Sequence, residues 1–67
     1  MLFEVSFLNN CRRSVHKRYL KEATTPELAI KNCETWLVGQ WVRVREDGAQ
    51  KQAVFEMKKD GTLEKIF

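Results

Sequence analysis

NNCRRSVHKRYLKEATTPELAIKNCETWLVG, residues 9–39 of the 67-residue chain, decides the fold, because it holds both the clearest element and the most ambiguous one. The clear element is a helix. Thr24-Thr25-Pro26-Glu27 offers a capping hydroxyl, a proline in the first turn where its missing N–H costs nothing, and a carboxylate at the positive end of the helix dipole. Thr24 with Glu27 fits a capping box. Ala29, Ile30, Cys33, Trp36 and Leu37 then recur on one face, with Lys31, Asn32, Glu34 and Thr35 opposite, and Gly39 supplies the stop.

The ambiguous element precedes it. Residues 11–23 group Val15, Tyr19 and Ala23 either along one side of a strand, with Lys17 and Lys21 between them, or, together with Leu20, on one face of a helix. The strand is the preferred reading. Leu2 to Leu8 alternates as a strand, Asn9-Asn10 tolerates the left-handed backbone of a tight turn, and the capped helix begins too soon for another helix to fit before it. As a strand, the segment projects Arg12, Ser14, His16 and Arg18 to one side and Arg13, Lys17 and Lys21 to the other.

After the helix, Trp41 to Arg45 alternates, Asp47-Gly48 turns, Ala53 to Met57 alternates again, Asp60-Gly61 turns, and Thr62 to Phe67 closes. The expected fold is therefore α+β: a single small domain over 1–67, β-β-α-β-β-β, with an antiparallel sheet and one amphipathic helix packed on one face. At this length one core leaves only about 3–5 kcal/mol of net stability.

Charge is unevenly placed. The chain carries a net +3, yet residues 9–21 hold Arg12, Arg13, Lys17, Arg18 and Lys21 with no acid, while elsewhere seven Lys/Arg meet nine Asp/Glu. A concentrated basic segment steers acidic partners, although Lys and Arg on an edge strand also discourage sheet-to-sheet aggregation. Arg43 and Arg45 share a strand face with Trp41, which is a candidate anchor for a protein partner or for stacked bases, unless it caps the open end of the core.

Other chemistry finds little footing. His16, the only histidine, lies near Ser14 but in no pocket-forming arrangement, Glu46-Asp47 reads as a strand end and turn, and Gly39, Gly48 and Gly61 are scattered. Cys11, Cys33 and His16 match no metal-ligand spacing. Cys33 reads as a small core residue and Cys11 as a turn residue, both free thiols. The expectation is a protein without enzymatic activity, cofactor or metal. No apolar run is long enough for a membrane span, and the start lacks the pattern of a signal peptide, which points to a cytoplasmic chain complete from its methionine.

The run Tyr19-Leu20-Lys21-Glu22-Ala23-Thr24-Thr25-Pro26-Glu27-Leu28-Ala29-Ile30, with the strand Trp41-Val42-Arg43-Val44 that follows, resembles the core of small bacteriophage proteins, in particular the podophage inhibitors of host RNA polymerase. The resemblance covers residues 19–45. It implies a phage-encoded protein that binds and modulates a host protein of the transcription or defence machinery, acting in the host cytoplasm. It transfers no binding residue position by position, and the extra C-terminal hairpin and basic balance depart from the pattern. An acidic mimic of DNA is disfavoured by the positive charge.

Three functional readings follow. In the leading one, Arg12, Arg13, His16, Lys17, Arg18, Lys21, Trp41, Arg43 and Arg45 dock on an acidic surface of a host protein. The alternative is direct nucleic-acid binding through residues 12–21 and the Trp41/Arg43/Arg45 face, and the third is self-association as a homodimer through an unpaired edge strand.

Overall fold

The computed structural model describes residues 1–33 and 37–66. Trp36, expected on the apolar face of the helix, and Phe67, expected to end the closing segment, lie outside them, as do Glu34 and Thr35. In chain order the elements are β1 (Leu2–Leu8), β2 (Val15–Glu22), α1 (Pro26–Lys31), β3 (Trp41–Glu46), β4 (Gln52–Met57) and β5 (Leu63–Lys65). The α+β class and the antiparallel sheet agree with the sequence. The strands lie in the order β2-β1-β3-β4-β5, all neighbours antiparallel, which leaves β2 and β5 as the edges.

Register makes one side of the sheet apolar. Phe3 and Val5 on β1 face Lys21 and Tyr19 on β2, Val5 and Phe7 face Val44 and Val42 on β3, and Val42 faces Phe55 on β4. Because side chains alternate along a strand, these residues share one side. Helix α1 packs against β1 and β3 there, and Ala29, Ile30 and Cys33 complete the buried cluster with Phe3, Val5, Phe7, Val42, Val44, Phe55 and Met57. Tyr19 closes the β2 end, its ring edge-on to Phe7 at 5.8 Å between centroids.

The helix differs from expectation at both ends. Its N-cap is Thr25, whose extended backbone (φ −136°, ψ 157°) lets its hydroxyl oxygen accept the Leu28 N–H at 3.2 Å; Thr24 stands one residue too early to cap a helix that begins at Pro26. The helix runs six residues and ends on Asn32, whose N–H is bound by the Leu28 carbonyl at 2.9 Å. Asn is a good terminator because its short polar side chain competes for backbone groups. The longer helix ending at Gly39 is thus corrected. Leu37, assigned to its apolar face, is 71% exposed, and Gly39 (φ 83°) serves the turn into β3, donating its N–H to the Met57 carbonyl at 2.7 Å.

The first hairpin also departs from a simple alternation. Arg12 and Arg13 belong to the loop between β1 and β2 and not to a strand, and the register shifts between Phe7 and Leu8, so that Phe7 faces Lys17 while Leu8 faces Val15. The extra residue, His16, takes Val15 out of the Tyr19 row. Tyr19 and Ala23 pack against the core cluster as expected of a strand, whereas Val15 does not.

The cap assignment is testable by thermal or denaturant unfolding. Thr25→Ala is expected to destabilise the protein by about 0.5–2 kcal/mol, and Thr24→Ala to stay within about 0.5 kcal/mol of the parent.

Candidate interaction surface

The side of the sheet away from α1 carries Glu4, Ser6 and Leu8 from β1, Arg18 and Leu20 from β2, Trp41, Arg43 and Arg45 from β3, and Gln52, Val54 and Glu56 from β4, as the pairing registers dictate. Trp41 therefore does not cap the core that α1 covers; it lies on the opposite side. Ser6, flanked by Arg18 and Arg43 across the two ladders, is only 1% exposed, because long arginine arms on either side shield a short side chain.

Much of the charge on this side is internally balanced. Glu4 receives the Arg45 guanidinium at 3.2 Å and faces Arg18 at 3.8 Å. The Trp41 indole N–H donates to Glu56 at 3.3 Å, and the Lys58 ammonium reaches Glu56 at 3.0 Å and Glu64 at 3.3 Å. The hydrogen bond from Lys58 first, and that from Trp41, hold the Glu56 carboxyl below the usual carboxylate range; Glu56 and then Glu64 raise Lys58 in return.

The loop between β1 and β2 supplies the other part of the surface. Its ends are tied by the Asn9 N–H to the Ser14 carbonyl (2.9 Å) and by the Asn9 side-chain amide to the Ser14 hydroxyl (2.6 Å), and the Arg12 N–H binds the Asn9 carbonyl at 2.8 Å. The left-handed residue of this loop is Arg12 (φ 61°) and neither asparagine. That conformation, uncommon for a residue with a Cβ, accompanies a specific contact: the Arg12 guanidinium lies 4.3 Å from the centroid of the Trp41 ring. Such cation–π contacts contribute about 0.5–1 kcal/mol at exposed sites.

Beside this stack the loop and the turn before β3 enclose a hollow of about 170 Å³, lined by Asn9, Asn10, Arg12, Leu37, Val38 and Trp41. Leu37 and Val38 are 71% and 59% exposed. The sequence reading missed both, because Leu37 continues the helical period of Ala29, Ile30 and Cys33; the available signal was an apolar pair directly before Gly39. Glu4 was missed as well, and its mark was a lone acid within the apolar alternation of β1.

The predicted residues do not form one patch. Arg12 and Trp41 meet, and Arg43 and Arg45 share their side of the sheet with Arg18. Lys17 and Lys21 project to the α1 side, Lys21 with its ammonium 5.8 Å from the Tyr19 ring centroid. Arg13 is exposed in the loop and His16 at the bulge. Among the described residues, Arg13, His16, Lys17 and Arg43 have no carboxylate within ion-pair distance. Also among these residues, no cluster of three His, Cys, Asp or Glu side chains is placed to hold a metal ion, and no helix is long and apolar enough to cross a membrane. Comparison of the chain with protein-family models, with curated proteins and with solved structures finds no match.

Both cysteines are free, Cys11 exposed and Cys33 buried. The Arg13 backbone N–H, and then the Ser14 hydroxyl, favour the Cys11 thiolate and draw its pKa down, whereas burial pushes Cys33 up against the opposing charge of Lys21. In iodoacetamide labelling followed by mass spectrometry, Cys11 is expected to react in the folded protein and Cys33 only after unfolding. The pH midpoint for Cys11 should fall below that of the same cysteine in the denatured chain, because the donors that stabilise its thiolate exist only in the folded loop.

Proposed function

We propose that this chain is a small non-enzymatic binding protein that docks its loop end, residues 9–17 with the turn before β3, on an acidic surface of a partner protein and modulates that partner. The observation that carries the reading is the juxtaposition of two exposed aliphatic side chains, Leu37 and Val38, with the Arg12–Trp41 stack around one hollow, while Arg13 is exposed in the same loop as Arg12 and Lys17 is exposed near the start of β2. An apolar anchor site with an arginine stacked on a tryptophan is the composition of a protein-recognition hot spot. Unpaired exposed cations add speed of encounter and selection for an acidic partner. The resemblance of residues 19–45 to phage inhibitors of host RNA polymerase supports a phage-encoded protein acting in the host cytoplasm, with its partner in the transcription or defence machinery.

Nucleic acid is the less favoured partner. A phosphate backbone laid across Trp41, Arg43 and Arg45 would meet Glu4 and Glu56, which lie among those side chains on the same side of the sheet. Proteins that track phosphates gain affinity by releasing counterions from many uncompensated cations, and Glu4 already engages both Arg18 and Arg45.

The test is retention of a partner from nuclease-treated bacterial lysate by the immobilised chain. The parent is expected to retain a specific protein and the Arg13→Glu/Lys17→Glu variant to lose it, with folding unchanged by circular dichroism, because both residues are exposed. Equal retention by the variant would sink the reading. Sub-micromolar binding of a single-stranded oligonucleotide at physiological salt, falling steeply with added salt, would replace it with the nucleic-acid alternative.

A further inference from the structure

Strand β2 is eight residues long and forms one edge of the sheet. Its hydrogen-bonding phase follows from one end of its ladder. The Ala23 N–H donates to the Met1 carbonyl at 2.9 Å, so Met1 and Ala23 form a mutually bonded pair. In an antiparallel ladder such pairs alternate with non-bonded ones. With Phe3 opposite Lys21, Val5 opposite Tyr19 and Phe7 opposite Lys17, the backbone groups of Lys17, Tyr19 and Lys21 are used on β1. The β1–β3 ladder is in phase with this: the Asp47 N–H donates to the Leu2 carbonyl at 2.8 Å, which commits the even residues of β1 to β3. The N–H and C=O groups of Arg18, Leu20 and Glu22 therefore point away from the sheet.

These three residues also share the side of the sheet away from α1, and Leu20 is 60% exposed. Their order, a cation, an apolar residue and an anion at alternate positions, is self-complementary. When β2 pairs antiparallel with β2 of a second copy about a two-fold axis at Leu20, Leu20 faces Leu20, Arg18 faces Glu22 and Glu22 faces Arg18. On the other side Tyr19 faces Lys21, an aromatic opposite a cation, and Lys17 faces Ala23. No like charges stand directly opposite.

Neighbouring registers lose this match. An axis at Arg18, Lys21 or Glu22 sets each of those charges against its own copy, and an axis at Tyr19 sets Lys17 against Lys21. Charges already present do not block the Leu20 register. Arg18 is held only loosely by Glu4, at 3.8 Å, and Glu22 is paired with the amino-terminal ammonium at 2.7 Å, where both groups are more than half exposed and solvated.

We infer that this chain forms a two-fold symmetric dimer by pairing β2 with β2 of a second copy, with Leu20 on the axis and reciprocal Arg18–Glu22 ion pairs flanking it, joining the two sheets into one. Such an interface is isologous, each side chain meeting the partner of its own complement, and it satisfies an edge that otherwise stays open to any extended chain. The basic character of β2 selects a single register for self-pairing as well as deterring indiscriminate pairing.

Sedimentation equilibrium across a concentration series reads the outcome, with circular dichroism confirming the fold of each variant. The parent is expected to approach twice the chain mass. Arg18→Glu or Glu22→Arg alone turns two symmetry-related attractions into repulsions and is expected to weaken the dimer about tenfold or more. The combined Arg18→Glu/Glu22→Arg variant restores facing opposite charges and should recover most of that loss. Leu20→Asp, which places two carboxylates on the axis, should yield monomer. A parent that stays monomeric, a dimer indifferent to Leu20→Asp, or a double variant no better than the single ones would each overturn the inference.

Discussion

Phe3, Val5 and Phe7 point to one side of β1, and β1 is the strand paired on one edge with β2 and on the other with β3. Through those two ladders their row determines which residues of the neighbouring strands are inside. Val42 and Val44 must follow, and through them Phe55; Tyr19 follows on the other edge. A six-residue helix then suffices, because Ala29, Ile30 and Cys33 have only to cover a floor the sheet has already assembled. A helix this short is unstable alone, and its packing rather than its propensity maintains it. A polar replacement in the row of β1 would consequently remove the reason for α1 to form, not merely one contact.

The same alternation sends the charged residues to the other side, where the sheet handles them in two ways. Near β1 and β4 they are partly compensated, Glu4 lying between Arg45 and the more loosely held Arg18, and Glu56 pairing with Lys58 while it accepts the Trp41 indole N–H. In the loop after β1 and at the start of β2 there are no acids to compensate them. The positive charge concentrated in residues 9–21 therefore divides into a part that faces a carboxylate, Arg18 beside Glu4, and a part that has none within ion-pair distance among the described residues, Arg12, Arg13, Lys17 and Lys21. Of the second part, Arg12 lines the hollow with the exposed Leu37 and Val38.

Features set by local chemistry were legible in the sequence. The period of β1, the turns at Asp47-Gly48 and Asp60-Gly61, and a proline in the first helical turn each express a constraint acting within a few residues. What was not legible depends on distant parts of the chain. The left-handed backbone fell to Arg12, whose guanidinium lies over Trp41, and not to the asparagines with the better intrinsic preference. Periodicity carried the helix on to Leu37, but the chain terminates it at Asn32. The bulge that removes Val15 from the core row is a register event between two strands, and no single-strand pattern announces it. At the candidate surface, likewise, the basic residues could be named from the sequence, but the separation of Lys17 and Lys21 from the Arg18 side, and the hollow at Leu37 and Val38, required the pairing of strands to be known.

The proposed docking surface and the proposed dimer edge share Lys17 and otherwise use different parts of the same hairpin, and their geometry makes them compatible. With the two-fold axis at Leu20, the start of β2 at Val15 lies five residues away, about 17 Å at the usual rise of a strand. The two loops bearing Arg12 and Arg13 therefore project from opposite ends of the joined strands, separated along the strand direction by roughly twice that distance. A partner presenting two acidic sites at that spacing would be held at both loops, and the second attachment would be intramolecular, raising avidity without a new contact. Dimerisation would thus place Arg18 and Glu22 at the centre, where they specify register, and leave Arg13 and Lys17 outside the matched ion pairs, with charge available for recognition.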